Sequence, residues 1–230
     1  MAVITNEQST QVNQVAPRDP AARKYAVEFI GAFFLVFTVG TAVASGSALA
    51  PLAIGTSLMV MIYAGGHVSG GHFNPAVTMA ALVRGRIATR DAVGYWIAQV
   101  VAGVVAAVIV RAIANTGSVA TLHLAGHALA AAFVAELLFT FALCWVVLNV
   151  ATSKDHPNNS FYGLAIGFTV VAGAFAVGGL SGGVFNPAVA IGGAVMGYFA
   201  WSTIWIYLVV ELAAGAAAGI VFRAINPADK

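Results

Sequence analysis

The sequence predicts an all-α membrane protein: six transmembrane helices plus two re-entrant half-helices, arranged as an inverted repeat. Three observations predict it. Only 8 % of the 230 residues are charged, 60 % are apolar, and mean hydropathy is +0.92. A soluble domain carries about 25 % charged residues, so a water-facing surface cannot be built here, and so apolar a chain is not a disordered one. Second, apolar runs of about 20 residues recur, the length that crosses a hydrocarbon core of about 30 Å. Third, one phrase occurs twice, as Ser69-Gly70-Gly71-His72-Phe73-Asn74-Pro75-Ala76-Val77 and as Ser181-Gly182-Gly183-Val184-Phe185-Asn186-Pro187-Ala188-Val189.

The elements follow in order. Residues 1–24 are polar and end in Arg18, Arg23 and Lys24, which reads as a cytoplasmic tail. The first apolar run covers 25–45. Ala42-Val43-Ala44 resembles a signal-peptide cleavage site, but the polar leader is long for that and the repeat needs this segment retained. Further runs cover 51–66, 91–114, 128–150, 161–178 and 201–224, the second and fifth being shorter or interrupted by glycine. No stretch alternates at period two for long, and an open sheet would leave unpaired backbone in lipid. Two short segments start at Asn74 and Asn186 and run about 11 residues, or roughly 16 Å of helix, half a bilayer. Asn caps a helix, and Pro at the first helical position has no N–H to lose. The first repeat is therefore set at 25–114, an outer loop at 115–127, the second repeat at 128–224 and a C-terminal tail at 225–230.

Nine of the ten basic residues (Arg18, Arg23, Lys24, Arg84, Arg86, Arg90, Lys154, Arg223 and Lys230) fall on one side of this topology, and only Arg111 on the other. The positive-inside rule then makes both termini cytoplasmic. A net charge of +2 gives no reason to expect nucleic acid. Cys144 reads as a small buried apolar residue, and the 25 glycines as sites of close helix approach.

The two phrases agree at eight of nine positions, at an offset of 112 residues. Glu28 matches Glu136, and Gln99 and Gly103 match Glu211 and Gly215. Three spans per copy invert the second copy in the membrane, and inverted repeats with broken helices mark channels and transporters. Two half-helix N-termini facing each other place positive dipole ends and free N–H groups at the midplane. Such a midpoint repels cations and hopping protons but not neutral solutes, and the Asn74 and Asn186 amides add donors there. The carbonyls of Gly70, Gly71, His72, Gly182, Gly183 and Val184 cannot pair within a helix and form a candidate acceptor ladder. Glu28 and Glu136 read as carboxylates bracing these loops, with proton relay as the competing role.

The paired Asn-Pro-Ala boxes, each after Ser-Gly-Gly, together with Glu28-Phe29-Ile30-Gly31, resemble the aquaporin or major intrinsic protein family over about residues 25–224. The resemblance implies an aquaporin-like fold with a pore in every subunit of a homotetramer. It implies passive conduction of water or small neutral solutes with protons and ions excluded, and neither enzyme activity nor cofactor nor metal. Carried over by spacing, the family's outer constriction falls on Ile54, Ala174, Gly183 and Val189. Val189 stands where water-selective members and glycerol channels keep an Arg. That departure predicts a wider, permissive filter passing water plus glycerol, urea, ammonia, hydrogen peroxide or metalloid acids. Glu211 is a second departure, at a place where many relatives have Pro. Its pairing with Gln99 in the repeat suggests a polar residue bonding the opposite loop, or else a gating carboxylate.

His72 is expected to lend its carbonyl to the pore, and His67 to stand near the cytoplasmic mouth, where it could gate with pH. His123, His127 and His156 read as solvated, and no metal-ligand spacing is present. Two rivals remain. A proton-coupled secondary transporter would use Glu28, Glu136 or Glu211. An intramembrane protease would use the serine of Gly179-Leu180-Ser181-Gly182, but the sixth span offers no His. The expected location is the plasma (inner) membrane, and a vacuolar membrane fits too.

Overall fold

A computed structural model of the chain describes residues 20–229. The expected tail over 1–24 lies mostly outside the described residues, as do Arg18 and Lys230. Eight α-helices follow in order: α1 Pro20–Ala44, α2 Ala50–Ser69, α3 Pro75–Arg84, α4 Thr89–Ile113, α5 Gly126–Thr152, α6 Tyr162–Ser181, α7 Pro187–Met196 and α8 Ile204–Ile225. Six are long and apolar enough to cross a membrane, and α3 and α7 are half-length. Their faces away from the core carry Ile97, Val108, Leu138, Phe175 and Ile220, apolar side chains that suit lipid.

One detail differs from the expectation. The helices α2 and α6 are not broken at their glycine pairs; each runs 20 residues, through Gly65-Gly66 and Gly178-Gly179, to Ser69 and Ser181. Glycine inside a helix costs only about 1 kcal/mol, and Gly65 is needed because a Cβ there would lie 2.5 Å from Val27 Cγ1. The half-helices are 10 residues long, each starting at its Pro behind an Asn cap with extended backbone, as the Asn-Pro pairs suggest.

The packing is symmetric and interlocked. Within each repeat α1 lies on α4 and α5 on α8, and α2 and α6 pack across the junction. Each half-helix lies on the last span of the other repeat, α3 on α8 and α7 on α4. Matched glycines permit this approach: a Cβ on Gly215 would stand 2.2 Å from the Ala76 carbonyl oxygen, and one on Gly103 2.7 Å from that of Ala188. Cys144 is fully buried. The 115–127 segment holds a 3₁₀ turn at Thr116–Ser118 and then pairs with the stretch after α7. There Leu122 N–H donates to the Tyr198 carbonyl at 2.8 Å, and Ala200 N–H donates to the Leu122 carbonyl at 3.3 Å.

Candidate functional site

The two loops that precede α3 and α7 turn by left-handed backbone. Gly70 and Gly71 have φ of 89° and 65°, and Gly182 and Gly183 have 93° and 63°. Phe73 and Phe185 are also left-handed, at 49° and 50°. A side chain there is strained, so the packing must hold it. It does: a Cβ on Gly31 would fall 2.2 Å from the Phe73 ring, and one on Gly173 2.6 Å from the Phe185 ring. Each Phe is thus a plug seated in a glycine notch.

The Asn caps join the loops to each other. Asn74 Oδ1 accepts from Ala76 N–H at 2.8 Å and Asn186 Oδ1 accepts from Ala188 N–H at 3.0 Å. Asn74 Nδ2 donates to the Phe185 carbonyl at 2.7 Å, and Asn186 Nδ2 donates to the Phe73 carbonyl at 3.0 Å. These amides are expected to add donors at the midplane; part of that capacity goes to the protein itself. Each NH₂ has two donors, and one of them ties the opposite loop.

Glu28 reaches its loop from α1. It accepts from Ser69 Oγ at 2.7 Å, His72 N–H at 2.9 Å, Phe73 N–H at 2.7 Å and Gln99 Nε2 at 2.8 Å. Glu136, on α5, accepts from Ser181 Oγ at 2.6 Å, Val184 N–H at 3.0 Å and Phe185 N–H at 2.8 Å. Gln99 bonds Glu28 and Thr78 of its own repeat, not the opposite loop. Glu211 likewise lies beside Glu136 and Asn186 of its own repeat. Ser181 meets a carboxylate and no imidazole, so the protease reading lacks its base. Among the described residues no His, Cys, Asp and Glu cluster could hold a metal.

A cavity of about 420 Å³ has Ile54, Ala174, Gly183 and Val189 in its lining together with Asn74, Asn186, Gly71, His72, Gly182 and Val184. It spans from Val43, Pro51 and Val119, at the end bearing the 115–127 loop, to His72 and Val147. A second cavity of about 550 Å³ begins at the same His72 and Val147, includes Gly70, and opens among Lys24, Arg86 and Lys154. The two cavities adjoin at His72 and Val147 and open towards opposite ends of the helix bundle. Leu122, Tyr198 and Phe199 also line the first cavity; nothing in the apolar pattern sets them apart. The His72 ring, not only its carbonyl, stands at the junction, with Nδ1 3.1 Å from Thr78 Oγ1. His67 lines a side recess with His156 and Tyr162, and His123, His127 and His156 are exposed.

The repeat also places groups that apolar and acidic matches alone pass over. Tyr95 and Tyr207 donate to the Ser69 and Ser181 carbonyls at 2.5 and 2.7 Å. Arg223 donates to the Val83 carbonyl and Arg111 to the Val195 carbonyl, both at 3.2 Å. Each arginine therefore caps the negative end of the other repeat's half-helix. The offset of 112 relates both pairs, and it would have found them. It also gives Arg111, the exception to the charge bias, a structural role. One cluster has no counterpart: Arg84 is buried over the Phe222 ring and bonds Asp229 at 2.6 Å, and Lys154 N–H donates to Asp229 at 2.9 Å. Burial pushes the Asp229 carboxyl up, but the Lys154 N–H and the Arg84 guanidinium outweigh it and hold the group below the usual range.

Six spans and two half-helices that meet cap to cap beside these cavities define a channel-type membrane fold. The description "Major intrinsic protein" matches residues 17–222, and the chain belongs to that family. It is 42 % identical over 217 residues to "Glycerol uptake facilitator protein-like 6" of Lactiplantibacillus plantarum, covering 90 % of this chain and 100 % of the relative. It is 38 % identical over 189 residues to "Aquaporin TIP1-1" of Arabidopsis thaliana, covering 80 % and 74 %. In fold it resembles the aquaglyceroporin of Plasmodium falciparum, with TM-score 0.73 at 21 % identity over 90 % of this chain and 95 % of that one. Members of the family are channels rather than enzymes, and the chain is a multi-pass integral membrane protein of that kind.

Proposed function

We propose that the protein conducts water together with small neutral solutes (glycerol, urea, ammonia, hydrogen peroxide or metalloid acids) and excludes protons and ions. One observation carries the reading: Val189 lies in the wall of the first cavity with Ile54, Ala174 and Gly183. That wall brings no fixed charge, and its small residues leave room for a solute larger than water. Exclusion then rests on the midplane, where α3 and α7 present their N-termini and the free N–H of each Asn amide. The carbonyls of Gly70, Gly71, His72, Gly182, Gly183 and Val184 supply acceptors along the path, while neighbours on each side are taken by Tyr95, Tyr207 and the Asn amides. A relative named for glycerol uptake and another named aquaporin agree with this solute range. The same reading makes the protein a homotetramer with a pore in each subunit and cytoplasmic termini, in the plasma (inner) membrane. Proton-coupled transport is disfavoured because all four contacts of Glu28 are occupied, which suits a fixed brace better than a mobile carrier.

Stopped-flow swelling of proteoliposomes tests it. Water flux with entry of glycerol, urea and arsenite-like solute is expected, and Val189→Arg should suppress the larger solutes first. High water flux with no solute entry defeats the permissive filter. A Val189→Arg variant with every permeability unchanged removes Val189 from the constriction.

A further inference from the structure

The second brace is one donor short. Glu28 accepts four hydrogen bonds, the fourth from Gln99. Glu136 accepts three from protein donors, and the position of Gln99 is held by Glu211. Glu211 is 0 % exposed, and neither of its oxygens makes a hydrogen bond of good geometry among the described residues; the nearest donor is the Asn186 N–H. Its carboxyl lies beside that of Glu136. Ionised carboxylates only accept hydrogen bonds, so if both were ionised they would repel each other, and Glu211 would gain no donor from Glu136 in a buried site.

Among the described residues no cationic side chain offsets them, and the N-terminal end of α7 brings only the partial charge of the Asn186 N–H. α5 brings only Glu136 and the Cys144 thiol to this point. On α8, Tyr207 is committed to the Ser181 carbonyl. α7 carries no titratable residue, the Arg84 of α3 is tied to Asp229 at that helix's far end, and the Tyr162 of α6 starts that helix, far from Ser181.

We propose that Glu211 carries a proton and donates it to Glu136, so that one shared proton closes the brace that an amide closes in the first repeat. Glu211 is then a positioning residue. It acts through Glu136 on the 181–186 loop, which carries Gly183 of the filter and the Asn186 cap. Loss of the proton puts two like charges behind that loop and disturbs the path it lines. The infrared and stability readouts stand whichever solutes pass, so failure here is distinguishable from failure of the solute reading.

Infrared spectroscopy of the full-length protein in liposomes at neutral pH reads the proton directly. Wild type should show the C=O stretch of a buried protonated carboxyl, and Glu211→Gln should lose it. That variant restores an amide donor, so it should keep thermal stability and water flux, whereas Glu211→Leu, which removes the donor, should lower both. Wild-type flux should fall as pH rises into the alkaline range, and the Glu211→Gln profile should stay flat. A wild-type spectrum without the band overturns the proposal, as does a band that survives in Glu211→Gln. So does a pair without the band that is instead stabilised by added sodium or calcium.

Discussion

The loop from Ser69 to Asn74 and the loop from Ser181 to Asn186 share their backbone turns, their left-handed Phe and their cross-bonded Asn. They differ in what surrounds them. The first is held by polar groups: the His72 ring on Thr78, Gln99 on both Thr78 and Glu28, and Trp96 Nε1 on the Pro75 carbonyl. At the corresponding positions of the second stand Val184, Ala190, Glu211 and Leu208. There α7 is seated by packing instead, with Gly192 against Val36 and Gly193 against Phe199. The repeat therefore fixes the turn but not the chemistry that holds it. One half can lose three polar side chains provided that small residues let its half-helix settle and a carboxyl replaces the amide.

The largest test of this comparison is to remove each brace. Glu28→Ala strands four buried donors, each costing about 1–3 kcal/mol, so a loss of about 4 kcal/mol or more is expected in thermal unfolding in detergent. Glu136→Ala should do equal damage, because it strands three protein donors and the Glu211 proton. A markedly milder Glu136→Ala breaks the equivalence of the two braces. Next come the glycine contacts. Gly215→Ala and Gly103→Ala each force a methyl against a carbonyl oxygen, at 2.2 and 2.7 Å, and overpacking of this kind costs about 1–3 kcal/mol. Gly215→Ala should be the worse in the same unfolding assay, and the reverse order would mean that α7 tolerates displacement less than α3. The smallest effect concerns the cluster that only one half has. The Asp229 carboxyl is held below its usual range, so its pairing with Arg84 stabilises the fold above the ordinary Asp value of about 3.9 and is lost as pH falls through the lower folded value. Limited proteolysis should therefore find the chain after Ile225 more readily cut in Asp229→Asn, and in wild type only at strongly acid pH. Equal protection in both would show that the clamp holds nothing.

The spans were legible because lipid selects length and apolarity, which any window of sequence displays. The half-helices were legible from Asn-Pro and the repeat. Glu211 was placed by the repeat, but its neighbour was not, since an offset between α4 and α8 says nothing of the side chain facing it from α5. The Asn cross-bonds stayed hidden for another reason: their acceptors are the backbone carbonyls of Phe73 and Phe185, and a carbonyl leaves no mark in a sequence. The seating of Leu122 beside Phe199 was hidden likewise. Gly31, by contrast, is visible in the sequence, and the ring it admits explains why a side chain is refused there.

The crossed Asn bonds also set an order of events during synthesis. Asn74 waits for a carbonyl 111 residues further along the chain. At a ribosome's pace of about 5–20 residues per second, that is about 6–20 s in which α3 has its own cap but no partner. The end of that helix gains Arg223 later still. A nascent first half is therefore an unfinished object, with a short helix that cannot span the bilayer and a loop whose ties have not been made. Whatever shelters that half until Phe185 arrives, whether the insertion machinery or the α1–α4 bundle alone, must keep lipid away from a half-built pore.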